Sequence, residues 1–159
     1  MDEVAIARAV HVLAVVFWVG GVAFVTTVLL PAIRRFKTAK ERVAFFDMIE
    51  RRFAWQARAT TLFAGLSGFY MVSRLDLWDR FSSVTFWWMH AMVLVWLIFT
   101  VMLFLAEPLV LHRILRARAE VDPETTFRLI ERLHWVLLAM SFVAIFGAVA
   151  GTHGLSIFK

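Results

Sequence analysis

The stretch WWMHAMVLVWLIFTVMLFLAEPLVLH, Trp87 to His112, decides what kind of protein this is. It is longer than the ~20 mostly apolar residues that cross a hydrocarbon core of about 30 Å as a helix. Yet it holds a histidine near each end, His90 and His112, and one carboxylate between them, Glu107. An ionisable group at membrane depth is costly, so it marks a functional site unless a partner neutralises it.

Outward from this stretch the chain keeps the same character. Its 159 residues are 62% hydrophobic and 15% aromatic, against roughly 45–50% apolar in soluble domains. Four apolar runs predict membrane spans at about residues 4–30, 58–77, 84–111 and 133–157. The second is the shortest and is interrupted by Ser67, Gly68 and Ser73. Links this short leave one domain, 1–159. The expected fold is all-α, an integral membrane up-down-up-down four-helix bundle with a cytoplasmic amphipathic helix between spans one and two. A cleavable leader is not expected, because MDEVAIARAV is acidic before it is basic and the run that follows is too long. Cysteine is absent, which excludes disulfides, thiolate metal sites and iron–sulfur clusters.

The net charge of +5 reads as topology rather than as nucleic-acid binding. Between the first two spans lie Arg34, Arg35, Lys37, Lys40, Arg42, Arg51, Arg52 and Arg58. The last link adds Arg113, Arg116, Arg118, Arg128 and Arg132, so 13 basic residues fall on one side. Only Arg8, Arg74, Arg80 and Lys159 fall on the other. The positive-inside rule puts both basic links in the cytoplasm and both termini outside.

The first link carries Thr38 and Glu41 at capping-box spacing, then Val43, Phe46, Ile49 and Phe53 at helical spacing. This predicts a helix that lies on the inner membrane surface or extends the second span. Asp122 and Pro123 start the last helix as N-cap and first residue. Trp78, Phe86, Trp87 and Trp88 are expected to form an interfacial aromatic belt.

With this topology His11, His90 and His153 share the outer level, and His112 and His134 the inner one. His90 and His112 are 22 residues apart, about 40° of rotation and ~33 Å of rise on an ideal helix. Imidazole suits iron, copper and zinc and is a common axial ligand of haem. Ligands on facing helices could hold one cofactor near each surface, although each histidine alone also reads as an interfacial side chain. Gly20, Gly21, Gly65, Gly68, Gly147 and Gly151 could open a slot for a macrocycle or serve close helix packing. Arg8, one turn from His11, and Arg74, ending the second span, are placed for haem propionates or for lipid headgroups. Copper is the alternative, since Met89, His90 and Met92 set thioethers beside an imidazole. Pro108 should free the carbonyl near Phe104 and bend the third span. Glu107 is a candidate proton carrier, or else the partner of an arginine from the basic links.

The first span, HVLAVVFWVGGVAFVTTVLLP from His11 to Pro31, resembles the opening helix of CopD-like copper-resistance membrane proteins and of HemJ-type protoporphyrinogen oxidases. The shared pattern is a histidine, a tryptophan seven residues on and a small pair with glycine: His11, Trp18, Gly20 and Gly21. The four-span topology is similar over nearly the whole chain. The resemblance implies a small bacterial inner-membrane protein that binds b-type haem, with His11 as one axial ligand. HemJ-type enzymes also look to a lysine in the third span; here that helix has none, and His90 holds the comparable position. This departure favours bis-histidine ligation over protoporphyrinogen oxidation.

The function expected from the sequence is that of a haem b redox protein of the inner membrane. One haem would sit on His11 and His90, with His153 replacing one of them or bonding nearby. The number of haems stays open at one or two, the second having His112 and His134 as its candidate ligands. Membrane lipids surround such a protein, quinone or another redox protein is its partner, and self-association into a homo-oligomer stays open. The alternatives are CopD-type copper uptake, a HemJ-like oxidase using Glu107 to carry protons, and a structural subunit without cofactor.

Overall fold

The computed structural model describes residues 2–36 and 38–154, almost wholly helical and with no strand among them. Its helices are α1 (Asp2–Phe24), α2 (Leu30–Phe36), α3 (Ala39–Arg74), α4 (Trp87–Val101), α5 (His112–Val121) and α6 (Pro123–Thr152). π-Helical segments, Val25–Leu29 and Met102–Leu111, join α1 to α2 and α4 to α5. Among the described residues these elements make four rods.

Each rod boundary has a local cause. Thr38 Oγ1 accepts from the Glu41 amide while the Glu41 carboxylate takes the Thr38 amide, a reciprocal cap that starts α3. Asp122 accepts from the Thr125 amide at 3.0 Å, and Pro123 supplies a preset φ at the first turn of α6. Hydrogen bonds from the Thr125 side chain and then its amide hold the Asp122 carboxyl below the usual carboxylate range. Between α3 and α4 the chain turns through two short 3₁₀ segments, Trp78–Ser82 and Val84–Phe86.

Cross-rod pairs fix the directions. Tyr70 and Arg74 reach Glu3, His11 reaches Ala64, and Phe53 lies on Gly21, so α1 and α3 run antiparallel. Arg58 meets Glu107 and Trp96 meets Thr61, so α3 and α4 do too. Arg34–Glu131 and Arg42–Glu124 pair the start of α6 with α2 and α3, and Gly147 and Gly151 bring its end to Trp87 and Trp88. Directions therefore alternate. One end gathers the basic segments; the other holds the N-terminus and the end of α6.

Three helical stretches, Asp2–Arg35, Val84–Leu109 and Pro123–Thr152, are long and apolar enough to cross a membrane. The sequence predicted four. α3 is one continuous helix of 36 residues whose first half is charged and whose apolar half is short, so it does not reach that mark although it packs among the others. The helix predicted in the first link is therefore the beginning of α3. Its apolar face does not lie free on a membrane surface: Val43 and Phe46 are buried with Leu30, Ile33, Phe127 and Ile130.

The glycines turn out to be seats for aromatic rings. Phe53 fills the notch at Gly21, Trp96 that at Gly65, Trp87 that at Gly147 and Trp88 that at Gly151. The slot imagined for a macrocycle is closed at those positions, and Trp87 and Trp88 point into the bundle rather than into an aromatic belt. Trp78 stays exposed. A Cβ on residue 65 would come 2.5 Å from Trp96 Nε1, which donates to the Thr61 carbonyl at 3.0 Å. Gly65→Ala should thus displace the indole, break that bond and cost about 1–3 kcal/mol. Gly20 has open space where a Cβ would go, so Gly20→Ala should leave stability unchanged or raised. Thermal melting of the two variants in detergent separates them; equal melting would show that the notches are not filled.

Candidate functional site

Glu107 is 4% exposed and lies in the π-helical segment that carries Pro108. In a π-helix the N–H of a residue bonds the carbonyl five positions back, and proline has no N–H. The carbonyl left without a helical donor is therefore that of Leu103, one residue earlier than α-helical counting suggests. Arg58 of α3 takes it: Nε donates to the Leu103 carbonyl at 2.9 Å, and Nη2 lies 3.2 Å from Glu107 Oε2. One guanidinium serves both the freed carbonyl and the carboxylate beside it, a use of the rigid donor fork that lysine could not match.

A cavity of about 80 Å³ opens beside this clamp, walled by apolar side chains of α1, α3, α4 and α6. Its ionisable lining groups are Glu50, Glu107 and His134. Burial pushes the Glu50 carboxyl up to about 7, and repulsion from the Glu107 and Asp47 carboxylates adds to the rise. His134 donates from Nδ1 to the Ile130 carbonyl at 2.9 Å and stands edge-on to Phe46. Its Nε2 then carries the lone pair. The chamber is far smaller than the ~300–1,000 Å³ of small-molecule sites and has the size for a few waters. Its chemistry is that of holding a proton.

The residues singled out in the sequence are dispersed. Glu107 and His134 belong to the chamber. The side chain of His112 lies outside the described residues. His11 sits between α1 and α3, with Nδ1 donating to the Ala64 carbonyl at 2.9 Å, Ser67 Oγ at 3.2 Å, and Gly68 giving its ring room. His90 is exposed and donates from Nε2 to the Phe81 carbonyl at 2.9 Å. His153 is exposed at the end of α6, bonded to the Val149 carbonyl at 2.7 Å. Each of the outer three thus uses a nitrogen on the backbone of a different segment. Among the described residues, no three of the His, Asp and Glu side chains are grouped as a metal ion would need.

Arg74 pairs with Glu3 at 3.3 Å, and Arg8 is exposed. Trp18 is buried edge-on to Phe99 at 4.8 Å between ring centroids. Met89 is buried while His90 is exposed, so these neighbours in the MHAM stretch face different ways. His11 has one nitrogen anchored on a carbonyl, as metal-binding imidazoles do, while Trp87, Trp88 and Trp96 occupy the notches at Gly147, Gly151 and Gly65.

The expected pairing of Glu107 with an arginine of the basic links is met by Arg58; the sequence reading does not single out which arginine, and it passes over Glu50. Their spacing held a clue: Glu50, Ala54, Ala57 and Thr61 recur at helical intervals, and such small residues mark a face turned inward.

Compared with family models, with curated proteins and with solved structures, the chain matches none. The likeness to CopD-like and HemJ-type proteins rests on its motif alone.

The raised Glu50 carboxyl has a consequence for stability. Below pH ~4.5 the group is protonated folded or unfolded; between there and about 7 only the folded chain holds the proton. Above 7 it is charged in both states, so stability falls as pH rises through this window. Glu50→Gln should therefore melt higher than the parent at pH 8, by roughly 1–3 kcal/mol, with the gain vanishing near pH 4. Equal melting at both values would mean that Glu50 is not a buried acid.

Proposed function

We propose that this chain is a multi-pass protein of the bacterial inner membrane that takes up and releases a proton in the Arg58–Glu107 chamber. The three membrane-grade helices support the location. The apolar half of α3, packed among them, serves as the fourth span. The division of basic residues, 13 against 4, supports a cytoplasmic basic end with periplasmic termini. The chamber then lies toward the cytoplasm.

The observation that carries the reading is that Glu50 and Glu107 share one apolar lining. Arg58 pairs with Glu107 at 3.2 Å, while burial and the neighbouring Glu107 and Asp47 carboxylates favour the protonated form of Glu50. The Glu50 carboxyl is pushed up to about 7, where a proton carrier works best. A site of this kind serves a reaction that consumes or yields protons, with quinone or another redox protein as partner. Infrared spectra of the purified protein from pH 5 to 9 should show a buried protonated carboxyl band that fades around pH 7 and is missing from Glu50→Gln. A band absent throughout would end this reading.

Haem-dependent redox chemistry is the second reading, and His11 is the observation in its favour. An absorption spectrum of the protein as purified decides it. A Soret band lost in His11→Ala supports haem; a colourless protein leaves the proton chamber alone, and bound copper without colour returns the metal-uptake alternative.

A further inference from the structure

We propose that the rods enclose a proton path between His11 and the chamber along the buried face of α3. The inference rests on the chamber being a proton site and extends it across the molecule.

α3 turns Glu50, Ala54, Arg58, Thr61, Ala64 and Ser67 toward the interior at intervals of three and four, which is one helical face. Glu50 to Ser67 is 17 residues, about 25 Å of helix. Polar groups recur along this face at three levels, with alanines between them that leave room. The chamber is the first level. Thr61, with Trp18 about one turn nearer the chamber, is the second, and Ser67 with His11 is the third.

The middle level supplies the decisive observation. Thr61 is 0% exposed and Trp18 4%, yet Thr61 Oγ1 and Trp18 Nε1 have no hydrogen-bond partner among the described residues. An unmet buried donor or acceptor costs about 1–3 kcal/mol, and buried water is the usual way that cost is removed. The register set by Phe53 on Gly21 and by His11 against Ala64 brings Trp18 to the level of Ala57, about one turn from Thr61. The chamber reaches the same level, since Ala57 and Phe99 are in its wall and Trp18 stands edge-on to Phe99.

The groups differ in what they can do. An indole N–H only donates, so Trp18 orients water and does not relay. A threonine hydroxyl both accepts and donates, so Thr61 passes a proton on, one O–H bond forming as another breaks. Ser67 Oγ, 3.2 Å from His11 Nδ1, continues the file. Nδ1 carries the hydrogen given to the Ala64 carbonyl, so the file runs inward from His11. Nε2 takes a proton from outside as the Nδ1–H bond breaks toward Ser67 Oγ, and the Ser67 proton, turning from the Phe63 carbonyl, moves on toward Thr61. No electron moves, so the path needs no oxidant or reductant.

The test uses the whole chain in phospholipid vesicles loaded with a pH-sensitive dye, with a potassium diffusion potential set by valinomycin. The expected result is proton influx well above that of protein-free vesicles. Thr61→Val, which keeps the shape and removes the hydroxyl, should slow it about tenfold, equal to ~1.4 kcal/mol of barrier. Thr61→Ser should retain it, and Trp18→Phe should slow it without abolishing it. Influx no faster than in empty vesicles, or equal in wild type and Thr61→Val, overturns the path. So does equal loss in Thr61→Val and Thr61→Ser. A Glu50 carboxyl that still titrates near neutrality in those cases would leave the chamber standing.

Discussion

Arg58 holds the molecule to its plan. Pro108 breaks the ladder of the third rod, and Glu107 places a carboxylate at the break. Both are liabilities in an apolar interior, where an unmet carbonyl and an unpaired charge are each expensive. A single guanidinium reaching across from α3 answers them together, at 2.9 Å and 3.2 Å. The same contact fixes the height of α3 against the broken rod. It also places Glu50, two turns before Arg58 on α3, in the wall of the cavity that the π-helical segment opens.

The rest of the packing follows a different rule. Away from the clamp, the rods interlock by large rings seated on glycines, and each ring fixes a local register. Hydrophobic area alone would not do this in a membrane, where lipid is as apolar as the interior; close approach over small residues supplies the attraction instead. The molecule therefore combines a ring-in-notch half that is closed with a clamped half that keeps a small polar chamber. Ion pairs at the basic end, Arg34–Glu131 and Arg42–Glu124, tie the start of α6 to α2 and α3.

Much of this was legible in the sequence, and the rest failed for identifiable reasons. The helices, the Thr38–Glu41 cap and the Asp122–Pro123 start were readable because each depends on residues within one turn. Apolar length gave three membrane-grade helices; the shortest run, 58–77, is the second half of α3, which falls short of that mark. The histidines were layered by depth, but depth does not say which carbonyl an imidazole will find, and His90 and His153 turned to backbone nearby. The glycines were ambiguous because an empty notch and a filled one have the same sequence. That Glu107 meets a basic-link arginine was expected; which arginine was not, because several lie in those links and sequence does not rank them. The role of Arg58 depends on a π-helical shift of one carbonyl, which no periodicity announces.

The most direct test of the clamp is a double-mutant cycle on Arg58 and Glu107, read by unfolding in detergent at pH 7. Arg58→Met and Glu107→Gln each remove one side of a buried pair, and Arg58→Met should cost about 3–5 kcal/mol. If the clamp is real, the double variant is less damaged than the sum of the two, with a coupling of about 1–3 kcal/mol. Strict additivity would mean that the two side chains do not meet, and the chamber built on their meeting would fall with them.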